Sequence, residues 1–430
     1  MRKLIQLKLK ILSQLILKKY KPEIIGITGS VGKTGAKEAV YAVLSSKYNV
    51  RRNVKNYNNE IGLPLTIIGS ESPGKSIIGW ILVFIKAIKL ILIINKNYPK
   101  ILILEMATDK PGDMKYLNKI AKCRIGIITR IGSSHIKYFN SIKNIAKEKS
   151  LLIKNLPQSG TAILNYDDEL TLAMKELTNA NILTYGLREG SKVRAREIAL
   201  SLNKSINAYD LVGISFKISY ENSIIPVILP NIISKSSVYS VLIGACAGII
   251  YDINLIAISQ SIKNINMPKG RMNAIRGIKN TLIIDDSYNS SPESSMVAID
   301  SIKDIPLRAN AEKYAVLGDM LELGSYSEEW HKQVGKYLAK AGIDKLITVG
   351  ERSRDIDRGA LDAGMASNNI FHFSNLRQAG IFIQNRIKEG DLILVKGSQG
   401  VRMEKIVLEI MAEPLRAPEL LIRQDKQWAQ

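Results

Sequence analysis

Along the chain, short uninterrupted apolar runs alternate with longer stretches in which apolar residues return every three or four positions, the period-two and period-3.6 signatures of buried strands and amphipathic helices. EIIGITGS, at 23–30, is an apolar strand that breaks on glycine, and GKTGAKEAVYAVLSSKY behind it has helical spacing. The run at 101–104 ends in an acid before the turn at Pro111 and Gly112; CRIGIITRIGSSH leads to His135, and TAILNYDD supplies a fourth strand. Polar residues therefore collect just past strand ends, as at the carboxyl edge of a parallel sheet. LVGISFKISYENSIIPVILP alternates like antiparallel strands and is expected to extend this first unit.

Beyond about Met267 the pattern restarts. NTLIIDDSYNSSPESSM, KYAVLGDM, DKLITVG, NIFHF and DLILVKGSQG read as further strands separated by helices, a second α/β unit. The predicted architecture is a leader helix at 1–22, a central domain at 23–270 with a mainly parallel sheet and a phosphate-loop ATPase character, and a Rossmann-like domain at 271–430. The leader MRKLIQLKLKILSQLILKKYKP has lysines throughout and no small-residue cleavage site, so it reads as a short amphipathic helix and not as a signal peptide. The most apolar stretch, SIIGWILVFIKAIKLILIINKNYPK at 76–100, is interrupted by Lys86 and Lys89 and is shorter than a comfortable span; it is expected to be a buried or interfacial helix.

Composition changes this picture in two ways. The net charge of +22 is spread along the chain, which favours anionic partners such as nucleotides, sugar diphosphates or an acidic membrane surface; a lysine- and isoleucine-rich coding bias accounts for it equally well. The basic residues form no stripe interleaved with aromatics and no zinc-finger spacing, so no nucleic-acid role is expected. The two cysteines, Cys123 and Cys246, lie far apart in apolar surroundings and suggest neither a disulfide framework nor a metal cluster, consistent with a reducing cytoplasm.

The candidate chemistry starts at GITGSVGKTGAKEAV, 26–40. A standard phosphate loop has glycine where this chain has Ile27. The shorter core can still work: Gly29 and Gly32 let the backbone N–H groups of Ser30 and Val31 turn toward phosphate oxygens, the helix start adds its dipole, Lys33 neutralises the β/γ region and Thr34 is placed to hold Mg2+. A glycine-rich turn with a surface lysine is the plainer alternative.

This loop spacing resembles that of the Mur ligases and their folylpolyglutamate synthetase relatives. NYNNEIGLPLTII, LEMATDKPGDM, SSHIKYFNSIKNIAKEKS, IDDSYNSSPESSM, VLGDMLELGSYSEEWH and LVKGSQGVRMEKI are similar, in order and over most of the chain, to motifs of the Mur ligase branch that adds D-Ala-D-Ala to UDP-MurNAc-tripeptide. The resemblance implies that ATP phosphorylates the carboxylate of a UDP-MurNAc-peptide and that D-Ala-D-Ala then displaces phosphate. It implies Mg2+ at two sites, with Thr34, Glu105 and His135 among the metal residues and one site served through a carbamylated Lys149. Lys33, Lys149 and His135 would carry the catalysis. Asn59, Arg271, Asp286 and Asn289 would contact ATP; Asn58, Lys396 and Ser398 would approach the reacting carboxylate, the amine or the acyl phosphate. A monomer is expected, in the cytoplasm or at the inner face of the membrane.

The resemblance breaks in three places. About two dozen residues precede Ile24, where the family carries a full domain for the UDP-sugar. In NIISKSSVYSVLIGACA the family's asparagine-containing pattern is replaced by Ser236, Ser237 and Ser240, shorter side chains without an amide. After the strand-end acid stand Ala107, Thr108 and Asp109. A ligase with another carboxylate acceptor, such as a folylpolyglutamate-like chain, and a non-catalytic scaffold at the membrane are the alternatives from these departures.

Overall fold

The computed structural model describes residues 2–53, 57–134, 136–202, 211–230, 232–263, 265 and 268–424. It is an α/β molecule with two sheets. The first comprises β1 (Glu23–Thr28), β2 (Val50–Arg52), β3 (Ile101–Glu105), β4 (Ile125–Ile128), β5 (Thr161–Asn165), β6 (Asn181–Gly186), β7 (Val193–Leu202), β8 (Leu211–Tyr220) and β9 (Ser223–Pro230), in the order β2-β3-β1-β4-β5-β6-β7-β8-β9. β2 to β7 run parallel across that order and β8 and β9 close it as antiparallel neighbours, so the alternating segment does extend the first unit. The interiors of β1 and β3 carry no polar side chain because both faces are covered, as in other parallel sheets.

Helices cover both sides. On one lies α2 (Lys33–Leu44) with the helix Lys235–Ile250; their Ala39, Val43, Val241 and Ala245 share a core with Ile25 and Ile103. On the other lie α1 (Arg2–Tyr20), α3 (Gly62–Ile68) and α4 (Ile77–Leu92), which enter a core with Ile24, Leu102 and Leu104 through Leu9, Leu65 and Val83. The apolar stretch at 76–100 is thus a helix, but it buries only Val83, Ala87 and Leu90.

The second sheet comprises β10 (Asn273–Arg276), β11 (Leu282–Asp286), β12 (Lys313–Gly318), β13 (Lys345–Val349), β14 (Ile370–Phe373) and β15 (Leu392–Lys396), in the order β10-β11-β15-β12-β13-β14. β10 alone is antiparallel to its neighbour. In each sheet the strand order places non-consecutive strands side by side, which opens a crevice at their carboxyl ends. β1 sits between β3 and β4, so the loops after these three strands converge. The loops after β11, β15 and β12 converge in the same manner.

Candidate active site

The loop after β1 turns on two glycines. Gly29 has φ 150° and Gly32 φ 85°, and a Cβ on Gly29 would lie 1.9 Å from Thr129 Oγ1, so neither conformation nor space admits a side chain there. The loop is tied to the segment after β4. Ser30 N donates to the Arg130 carbonyl (2.7 Å), Ser30 Oγ to the Gly132 carbonyl (3.0 Å), and Thr129 Oγ1 to the Val31 carbonyl (2.6 Å). Gly32 stands at the N-terminus of α2 with no side chain capping it, which leaves the first-turn N–H groups facing the pocket. Lys33 Nζ folds back onto the Gly29 carbonyl (2.8 Å), and its pKa is held below the usual lysine value, chiefly by burial and further by Arg271, against the pull of Glu105.

Behind the loop, Glu105 at the end of β3 gathers three groups. Thr34 Oγ1 (3.5 Å) and Asn58 Nδ2 (3.1 Å) donate to its Oε1, and Lys37 Nζ lies 3.7 Å from Oε2. Asn53 Oδ1 accepts from the Glu105 backbone N–H at 2.6 Å, and Lys37 Nζ donates to the Asn53 carbonyl at 3.0 Å, so the carboxylate is positioned from both sides. Among the described residues no three His, Cys, Asp or Glu form a metal cluster. One carboxylate and one hydroxyl beside a phosphate loop nevertheless fit a hard divalent cation whose other ligands are phosphate and water oxygens.

Lys149 is buried on the helix Ile142–Lys154, where its Nζ donates to Thr108 Oγ1 at 2.8 Å. Burial, with Lys33 nearby, pushes its pKa down to about 7, so a substantial neutral fraction exists at physiological pH, the form that can take up CO2. His135, the other metal residue expected from the sequence, lies outside the described residues.

The second sheet supplies the opposite wall. Asp286 and Lys396 are register partners at the carboxyl ends of β11 and β15, and their side chains pair at 2.6 Å; Lys396 Nζ also donates to the Asn289 carbonyl at 2.9 Å. Burial raises the Asp286 pKa and Lys396 opposes that rise. Arg271 lies 4.0 Å over the Tyr288 ring, with its Nε buried and without a hydrogen-bond partner. Ser398 Oγ accepts from Leu321 N–H (2.9 Å) and donates to the Ser290 carbonyl (3.3 Å), which knits three loops together.

Between the walls is a cavity of about 590 Å³. Ser30, Val31, Gly32, Lys33 and Thr34 line it on one side; Arg271, Asp286, Asn289, Lys396 and Ser398 line it on the other. Ser236, Ser237 and Ser240 form part of its lining too, so the substituted positions do face the pocket. Asn59 is placed differently: its Oδ1 accepts from Ile61 and Gly62 N–H (3.1 and 3.0 Å) at the start of α3, outside the cavity lining. Two residues were not singled out from sequence. Lys37 follows Lys33 by one helical turn on the same face, a spacing that signals a second basic group at the site. Glu293, beyond β11, accepts from Ser133 N–H at 2.8 Å and so bridges the two walls; nothing local marks it.

Known proteins share this fold. Residues 84–230 match the model of the Mur ligase middle domain, and residues 270–399 that of the Mur ligase glutamate ligase domain. The UDP-N-acetylmuramoyl-tripeptide–D-alanyl-D-alanine ligase of Bacillus subtilis is 28% identical over 404 residues, 94% of this chain and 79% of the relative. The MurF ligase of Thermotoga maritima, solved in complex with ADP, superposes with a TM-score of 0.75 at 25% identity, covering 93% of this chain and 82% of its own. A MurF structure from Acinetobacter baumannii has the same fold, with a TM-score of 0.77 at 24% identity over 94% and 79% of the two chains.

Proposed function

The chain belongs to the Mur ligase family of ATP-dependent ligases, and from that premise we propose that it joins D-Ala-D-Ala to the terminal carboxylate of UDP-MurNAc-tripeptide, forming ADP and phosphate in cytoplasmic peptidoglycan precursor synthesis. The observation that carries this reading is the shared cavity: a phosphate loop on one wall faces a cationic clamp on the other.

The chain's residues have distinct tasks. The N–H groups between Gly29 and the first turn of α2 bind the phosphates, and Lys33 leaves the loop carbonyls to neutralise the charge near the γ-phosphoryl group. Arg271, braced on Tyr288 with Nε free of protein partners, adds positive charge from the other wall. Asp286 and Asn289 face the nucleotide, while Lys396 and Ser398 hold the loop toward which the amine arrives. A substrate carboxylate oxygen attacks the γ-phosphorus, the bond to the β-phosphate oxygen breaks and ADP departs. The amine nitrogen then attacks the acyl carbon, loses its proton and expels phosphate. Mg2+, when bound, would neutralise the phosphates, held by Thr34 and Glu105 and, at a second site, by His135 and Lys149 as its carbamate. Lys37 and Asn58 keep Glu105 oriented toward Thr34. Burial of so much charge between two walls positions the reactants in line and excludes the water that would hydrolyse an acyl phosphate.

The test is ATP cleavage by the purified chain with UDP-MurNAc-tripeptide and D-Ala-D-Ala, with the product identified by mass and Lys33→Ala as control. The expected product is heavier by the dipeptide less one water and is absent in the control. Cleavage driven only by a folylpolyglutamate-like acceptor would move the substrate assignment, and no cleavage with any acceptor would leave the scaffold reading.

A further inference from the structure

α1 and α4 pack against each other and each turns an apolar ridge away from the protein. On α1 the ridge is Leu4, Leu7, Ile11 and Leu15, at helical spacing opposite the buried Leu9, Ser13 and Ile16. On α4 it is more extensive: Ile77, Ile78, Ile81, Leu82, Ile85, Ile88 and Leu92 are all exposed, Ile78 to 72% and Leu92 to 75%, and Ile93 and Ile94 continue it. Single exposed leucines need no explanation, but so many large aliphatic residues on two adjoining helices do.

Three features say what covers them. α1 and α4 contain no acidic residue, and the exposed Lys8, Lys18 and Lys89 stand on the same two helices, while Lys86 Nζ donates to the Gly69 carbonyl. Two copies placed ridge to ridge would therefore bring lysine against lysine, whereas anionic headgroups would meet those lysines with opposite charge. The exposed end of α4 is also partly satisfied: Lys19 Nζ donates to the Leu90 and Ile91 carbonyls (3.1 and 2.8 Å), and Tyr20 Oη lies within hydrogen-bond distance of the Leu90 and Ile93 carbonyls (2.9 and 3.0 Å). Terminal carbonyls that normally require water are thus occupied by protein, which permits contact with a poorly hydrated phase. Finally, no helix of the described residues is long and apolar enough to cross a membrane. The ridge is suited to lie in an interface.

We propose that the paired α1/α4 face docks the protein peripherally on an anionic lipid bilayer, the isoleucine and leucine side chains entering the headgroup boundary and the lysines contacting lipid phosphates. The binding energy combines apolar burial with charge attraction, so it depends on both lipid charge and salt.

The experiment is flotation of the full chain with phosphatidylcholine vesicles with and without phosphatidylglycerol. Recovery with the anionic vesicles should be at least about tenfold higher and should fall in high salt. The double variant Ile81→Glu/Ile85→Glu should lose about tenfold or more of that binding, with Ile81→Ser/Ile85→Ser intermediate. Both variants alter outward-facing side chains, and unchanged thermal melting establishes that each remains folded. No flotation of the unaltered chain, or flotation that the folded variants leave intact, would overturn the proposal. So would a dimer by light scattering that the same variants dissolve while the unaltered chain ignores vesicles.

Discussion

Lys149 and Lys396, buried on the two sides of the site, meet opposite surroundings. On the side built by the first sheet, Lys149 is 2% exposed and its Nζ donates to one hydroxyl, Thr108; no carboxylate of the described residues lies within ion-pair distance. On the wall built by the second sheet, Lys396 is equally buried but pairs with Asp286 at 2.6 Å. Burial alone disfavours an ammonium, so Lys149 is driven toward the neutral amine, while Lys396 meets the Asp286 carboxylate directly. The same residue type meets a lone hydroxyl on one side and a carboxylate on the other. Lys37, also 2% exposed, belongs with Lys396, since Glu105 stands 3.7 Å away.

Breaking the paired lysine should have the largest effect. Lys396→Met leaves Asp286 buried without its partner and should cost roughly 3–5 kcal/mol in urea unfolding; adding Asp286→Asn should recover most of the loss. If the double variant is no more stable than the single one, the pair is not what holds this wall.

The unpaired lysine can be tested with a basic residue that cannot take up CO2. Lys149→Arg cannot form the carbamate, so ATP cleavage should fall about 100-fold, as for Lys149→Ala, and formate should partly restore the alanine variant. An arginine variant with full activity would mean that Lys149 acts simply as a cation.

A smaller effect concerns Asp285, the buried neighbour of Asp286, whose Oδ2 has no hydrogen-bond partner. Burial pushes its pKa up to about 6. Below about pH 4 folded and unfolded chains both hold the proton; between there and about pH 6 only the folded chain does, so this group's contribution is lost as pH rises through that window. Asp285→Asn should therefore be more stable than the unaltered chain above pH 6, by on the order of 1 kcal/mol, and should show no such advantage near pH 4. An advantage that does not change with pH would assign the effect to packing.

Much of this was legible in the chain. The strand-loop-helix at 23–44, Glu105 at a strand end, and the restart of the pattern after Met267 follow from periodicity and glycine placement, which are local properties. Asn59 was assigned to ATP by resemblance, whereas its side-chain oxygen is taken by the first turn of α3; an asparagine ahead of a helical stretch is also the usual sign of a cap. The apolar stretch at 76–100 announced a helix but not which of its faces would be covered, because it is apolar almost all round.

The sequence by itself determined which segments form strands and helices and where the glycine-turned loop at 29–32 falls, since those depend on residues a few positions apart. Only the tertiary structure decided which lysine meets a carboxylate. Lys396 and Asp286 are separated by more than a hundred residues and become neighbours because β11 and β15 pair in register, while Lys149 finds only Thr108. Charge, burial and partner distance together set what a lysine does, and the last two exist only once the sheets are assembled.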